Sequence, residues 1–517
     1  MKRTVTLLLT GLLTACNSPN NTSQAENLTG NVENCPTPTE TPIPLASPPE
    51  NDLPNPFNFF TQTVTGNQDT IRFQTRDYDL VYCRGNREWT LQPGTYTPTP
   101  DTTPTGEELY DQLADPPYQT VQFQGETYQY RTRLDPNPFE NMATTTEAER
   151  VLFELLPPNQ DTPITRELYT VQDVRNAEIG FSLAYPDIIN HIPWGDKILW
   201  SISAPQGEGF TGIATLLTYH PDTQAMAVVQ PEPIQNQIIT DLAATDSDPK
   251  ILWMTTKTSG EGNPYLPGLG LVRYDPNPQT ITPHHIRNSP LIGAIPTHLW
   301  IDGEELWVST GNGICQVQWQ NSQTQDSWTC WRYAVLAEPP AEIDLYATSG
   351  DAEAATTLEA VAPLEILWKT PLLNPDATQH RYEIYYEEGF VATVEEGKSD
   401  WSDQDWDVPP YFAPVYWPGR QWHWNGNRFK RGFDQVSLNV VGGGPIGIGT
   451  TFTYPENLPN AHAIRGDLTL LELTENQTTV RHHSGWIAEE GIDPYITILP
   501  VDPVENPEPN PLEEESE

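Results

Sequence analysis

The chain has 517 residues and a formal net charge of −44, from 70 acidic and 26 basic side chains. So acidic a body repels phosphate backbones, which excludes nucleic acid as a partner. Proline, at 52 positions, favours turns and edges over long helices, and the length is too great for one ordinary core.

Lys2 and Arg3 precede the apolar run TVTLLLTGLLTA. That run is too short to span a bilayer as a helix and has the layout of a secretion signal. It ends in Leu13-Thr14-Ala15-Cys16, which resembles the lipobox of bacterial lipoproteins. The resemblance implies a signal peptide over residues 1–15, cleavage before Cys16 and a diacylglycerol anchor on its sulfur. Asn17 stands where an aspartate would favour inner-membrane retention, so the outer membrane is favoured over the inner. No later apolar stretch is long enough to cross a membrane. Residues 16–58, with CPTPTETPIPLASPPENDLPNP, read as a disordered Pro/Thr/Asn-rich tether.

From 59 to 180, strand-like runs such as TIRFQT, LVYC, WTLQ and TVQFQGETYQYRTRL surround a Pro/Thr loop. The region reads as a β-rich N-terminal domain or as an extension of the propeller-like repeats after it. Within it, TEAERVLFELL predicts a short helix opened by Thr146, with Glu149 completing a capping box.

The repeats begin near residue 188. ILWSISAPQGEG begins at Ile198 and ILWMTTKTSGEG at Ile251, a period of roughly fifty residues, too long for most helical solenoids. The units open IINHIPWGD, IITDLAATDSD and IPTHLWIDGEE. Trp200, Trp253 and Trp307 stand in the same slot, as do Tyr219 and Tyr274. Each unit holds four short β-type runs between turn residues, the pattern of a β-propeller blade that must stack on neighbours to bury both faces. LWVSTGNG and GLGLVRYDPNPQTIT resemble the propeller repeats of two-component-regulator sensor domains. There tryptophan packs between blades and glycine makes tight turns, and the motif carries no catalytic residue. Weaker echoes, LEILWKT with YEIYYEEGFVATV and later VSLNVVGGGPIGIGTTF, extend the series. The expected fold is therefore all-β, a propeller of about five to seven four-stranded blades over 181–500. An acidic disordered tail, 501–517, ends the chain.

Setting Cys16 aside leaves four cysteines for two disulfides in an oxidising compartment. Cys315 and Cys330 are symmetric about Ser322-Gln323, so a hairpin turning at Asn321–Thr324 sets them opposite each other. Cys35 and Cys83 pair by elimination.

Few groups suggest chemistry, and no catalytic residue is nominated. Gly442, Gly444 and Gly447 have dinucleotide spacing, but strand-like residues follow instead of the required helix. His284-His285 and His482-His483 lie on strands, where neighbours point to opposite faces, and are expected at the surface or half-buried. Asp403, Asp405 and Asp407 start like a calcium loop, but Val408 replaces its glycine and Pro414 its glutamate. His298 falls on the first strand of its unit, the one nearest the axis, and is a candidate ligand-binding residue. Glu208 and Glu261 occupy equivalent Gly-Glu-Gly slots that would share one rim, suited to a cation or a basic partner. No cofactor is called for, calcium being the one candidate. The expected role is a lipid-anchored module at the bacterial cell envelope, binding a protein or glycan. The alternatives are an extracytoplasmic propeller enzyme, a metal-assisted lyase or hydrolase, and a structural component of an envelope complex.

Overall fold

The computed structural model describes residues 32–37, 42–44, 61–97, 113–138, 147–205, 212–260 and, with short gaps, 263–345. Beyond these it describes the segments within 354–371, 380–385, 418–424, 429–435 and 484–501. Cys16, Glu208, Glu261, the Asp403–Asp407 run, the Gly442–Gly447 run, His482-His483 and the acidic tail lie outside the described residues.

The protein is mainly β, with five antiparallel sheets each opening as a four-stranded meander. The first sheet is β1 (Thr61–Gly66), β2 (Thr70–Thr75), β3 (Tyr78–Cys83) and β4 (Glu88–Pro93). The second is β5 (Gln119–Phe123), β6 (Glu126–Asp135), β7 (Arg150–Leu156) and β8 (Ile164–Thr170). The third is β9 (Asp187–Trp194), β10 (Lys197–Ala204), β11 (Ile213–His220) and β12 (Ala225–Val229). The fourth is β13 (Ile238–Ala244), β14 (Leu252–Gly260), β15 (Asn263–Asp275) and β16 (Thr280–His284). The fifth is β17 (Pro296–Asp302), β18 (Glu305–Thr310), β19 (Gly313–Gln318) and β20 (Trp328–Ala337). This is the repeated-blade plan of the sequence, and it takes in residues ahead of 181 as well.

Second strands show why the sheets must stack. After Lys197, β10 is buried along its whole length, so both of its faces are covered, which a single sheet cannot do. A core links the second sheet to the third through Tyr130, Phe153, Trp200 and Leu217. Another joins third to fourth through Leu199, Leu216, Leu252 and Met254. The fourth meets the fifth through Trp253, Leu271, Leu306 and Val308, and the fifth meets the first through Trp307, Trp331, Phe73 and Tyr82. Gly195 (φ 64°) and Gly303 (φ 59°) open the two-residue turns before β10 and β18, where a positive φ suits the hairpin twist. Gly270 is different: it lies within β15 at φ 80° with the His284 carbonyl pressed against its α-carbon, so it permits a close strand approach rather than a turn.

The predicted helix over TEAERVLFELL is not formed. Residues Arg150–Leu156 are β7, paired with β6 on one side and β8 on the other. Val151, Leu152, Phe153 and Leu155 are all buried, and so short an apolar run takes its form from its neighbours rather than from its own period. The capping box occurs at the next helix, Val171–Asn176, where Thr170 Oγ1 accepts from the Asp173 amide and the Asp173 carboxylate accepts from the Thr170 amide.

Both disulfides join the expected partners, Cys315 with Cys330 and Cys35 with Cys83. Cys315 lies directly opposite Cys330 in the β19–β20 register, and Thr324 N donates to the Asn321 carbonyl in the turn. Cys35 fastens the segment ahead of the first sheet to the end of β3. Farther along that segment, Ile43 enters the core between the first and fifth sheets. Its carbonyl accepts from the Ile496 amide, and Pro44 bridges Tyr495. The strand Tyr495–Val501 in turn pairs along β20, so the two ends of the described chain meet beside the fifth sheet.

Candidate functional site at the inner strands

The first strands β9, β13, β17 and β1 run side by side. Each carries a one-residue bulge, at Ile189, Thr240, Thr297 and Gln62 respectively. A bulge bends its strand and re-aims the side chains beside it. In the third, fourth and fifth sheets the residue after the bulge is polar: Asn190, Asp241 and His298.

Asp241 is the centre of this group. Its Oδ1 accepts from Asn190 Nδ2 and from the Leu242 amide, each at 2.8 Å, and its Oδ2 accepts from the Leu299 amide at 2.9 Å. One carboxylate thus ties three strands from three sheets. Burial pushes its pKa up, against the opposing pull of those donors and of His298. His298 is pushed the other way: burial lowers its pKa, while Asp241 and a hydrogen bond to the Gln62 backbone favour the cation. His298 Nδ1 is buried and has no hydrogen-bond partner. Beside them, Thr240 Oγ1 lies 2.7 Å from Thr255 Oγ1 and 3.0 Å from the Pro296 carbonyl. His191, next to Asn190, holds its Nδ1 3.2 Å from the Tyr130 hydroxyl of the second sheet, and burial lowers its pKa too.

His298 therefore lies where its place in the repeat put it. Asn190 and Asp241 were not nominated. Their signal was available: IIN, IITD and IPTH head successive units, and aligning these heads sets Asn190, Asp241 and His298 in one column. His284, expected at the surface or half-buried, is only 3% exposed. It stacks on Trp253 at 5.7 Å between centroids and tilts against Trp328 of the fifth sheet. Burial between two indoles, with Arg273 and His285 nearby, lowers its pKa to about 4. The outer strand does not expose it because the Trp253 face is covered by the neighbouring sheet. Among the described residues no group of three or more His, Cys, Asp or Glu could hold a metal ion.

No protein-family model matches the chain, and no curated protein matches it significantly. Among solved structures it is similar to the extracellular domain of a B. thetaiotaomicron protein described as a one-component system, at 14% identity and a TM-score of 0.24. A structure described as the extracellular domain of a hybrid two-component system from the same organism gives the same figures. The match covers 66% of this chain and spans 41% of each of those. At that TM-score the likeness carries no argument, and the fold rests on the sheets themselves.

Proposed function

We propose that this protein is a lipid-anchored binding module of the bacterial cell envelope, taking its ligand at the bulged inner strands. The observation that carries the reading is the column Asn190–Asp241–His298, in which three sheets bring polar side chains to one level of adjacent inner strands. Polar groups here cost stability unless paired, and bulges recur beside functional sites. Two disulfides support an oxidising, extracytoplasmic compartment, and the sequence ending in Cys16 supports an anchor, with the outer membrane favoured. The partner class is a protein or glycan of the envelope. Glu208 and Glu261 are proposed as a second element of the same surface, with calcium as the ion they would take.

Two measurements test this. Cys16→Ser should move the protein out of the membrane fraction or leave an uncleaved precursor; unchanged membrane association with the same mature mass removes the anchor. Thr297→Lys, which places a bulky cation at a bulge, should abolish capture of the envelope component retained by the wild type. Gln224→Ala, at the β11–β12 turn, should not. Equal capture by both variants removes the inner strands as the site. The enzyme reading is less supported. One carboxylate and one histidine do converge, but the free nitrogen of His298 is buried, and a metal-assisted reaction finds no described ligand set to rest on.

A further inference from the structure

We propose that the inner-strand cluster is a proton-operated joint: protonation of His298 draws the Asp241 carboxylate off the Leu299 amide, loosening β13 from β17, and ligand occupancy there falls as the pH drops. Only the last clause rests on the binding reading given above.

The geometry leads to it in three steps. A ring N–H of His298 bonds the Gln62 backbone, and Nδ1 is buried with no partner. In the neutral ring Nδ1 is therefore a bare lone pair. A second proton turns it into a buried donor, which is costly to leave unpaired. The charged group acting on the ring is Asp241 of β13. Of its two oxygens, Oδ1 accepts two hydrogen bonds and Oδ2 accepts one, from Leu299. Oδ2 is thus the oxygen freer to turn, and its present donor is the residue directly after His298. Satisfying the new donor and keeping the old one compete for the same oxygen.

Other elements around His298 offer no substitute. Strand β1 carries no titratable side chain, and β18 sets Ser309 opposite His298. Glu305, on β18, and Asp302, at the end of β17, both face Arg84 of the first sheet. Strand β14 brings Lys257, whose charged form is disfavoured by burial. Burial keeps His298 neutral at neutral pH, so the joint opens on the acid side.

The test follows histidine ring signals of the isotopically labelled protein against pH, with His298→Gln to assign the resonance. Hydrogen exchange over residues 296–302 is read on the same samples and corrected for intrinsic rates. His298 should titrate below the ordinary histidine range, and lower still in Asp241→Asn, which removes the charge that favours the cation. Exchange at Leu299 should quicken on the order of tenfold through that titration, the loss of one charge-assisted bond, and stay level in His298→Gln. An ordinary His298 titration, or Leu299 protection that is flat across it in the wild type, overturns the proposal. Neither readout needs a ligand, so a failed capture experiment and a failed joint are told apart.

Discussion

The third and fourth sheets are written with nearly the same letters, yet their tryptophans face away from each other. Trp200 pairs with Leu217, two residues before Tyr219, whereas Trp253 pairs with Arg273, one residue before Tyr274. A one-residue difference in register exchanges the faces of a strand. Trp200 therefore shares a face with Tyr219 and meets Tyr130 and Phe153 of the second sheet. Trp253 leaves the face of Tyr274 and joins the core with the fifth. Leu199 and Leu252, each one position earlier, are left to share the core between the two sheets. Repeated letters fix that a slot is buried; hairpin register decides which neighbour buries it.

The largest effects should come from those indoles. All three repeat tryptophans are 0% exposed, so Trp200→Ala or Trp253→Ala should each cost about 3–5 kcal/mol in denaturant unfolding. The comparison sharpens in double-mutant cycles. Trp200 should couple to Phe153 by about 0.5–3 kcal/mol, whereas Trp253 and Phe153 should add independently. Coupling of Trp253 to Phe153 and not of Trp200 would reverse the assignment of faces.

A pH scan separates the two units next. His284, stacked on Trp253, stays neutral when folded down to about pH 4, against an ordinary value of 6.5. The unfolded chain takes up that proton first, so stability should decline as the pH falls from about 6.5 to about 4. The loss should be roughly 3 kcal/mol. His284→Phe keeps a ring against the indole and should flatten that stretch of the profile. An unchanged profile would mean His284 does not reside between the two sheets.

The fifth sheet offers a control outside the pair. Opening Cys315–Cys330 by Cys→Ser at both positions should cost up to about 3 kcal/mol for so short a loop. It should leave the coupling between Trp200 and Phe153 intact. The smallest effect belongs to Glu208 and Glu261, the matching glutamates of the two units. The double Gln variant should change stability by no more than about 0.5 kcal/mol while weakening calcium or partner binding in calorimetric titration. Identical isotherms with an undiminished partner would leave those glutamates as turn residues.

Much of this fold was legible because its signals are local or periodic. The Cys315–Cys330 bridge followed from symmetry about a hairpin, and four β-runs per unit followed from turn residues at a steady spacing. What escaped depends on the strand next door. RVLFELL has no period of its own long enough to distinguish helix from strand, and β6 and β8 decide it. The bulges at Thr240 and Thr297 are invisible in either strand alone, because a bulge is a count of residues against a partner. His298 was legible by its place in the unit. Asp241 was not, since a single acidic residue among ITDLAA looks like a solvated strand position until Asn190, Leu242 and Leu299 are found donating to it.

The bond between Cys35 and Cys83 also sets a path for mechanical load. A pull applied ahead of Cys35 crosses the bridge and enters the end of β3. It need not travel through Ile43 and Pro44, where the chain is held to Ile496 and Tyr495 by a backbone hydrogen bond and a single β-bridge. With the bridge closed, tension arrives at a paired strand of the first sheet and the contact at the chain's two ends is shielded. With it open, the same tension would reach that contact first and peel it one bond at a time.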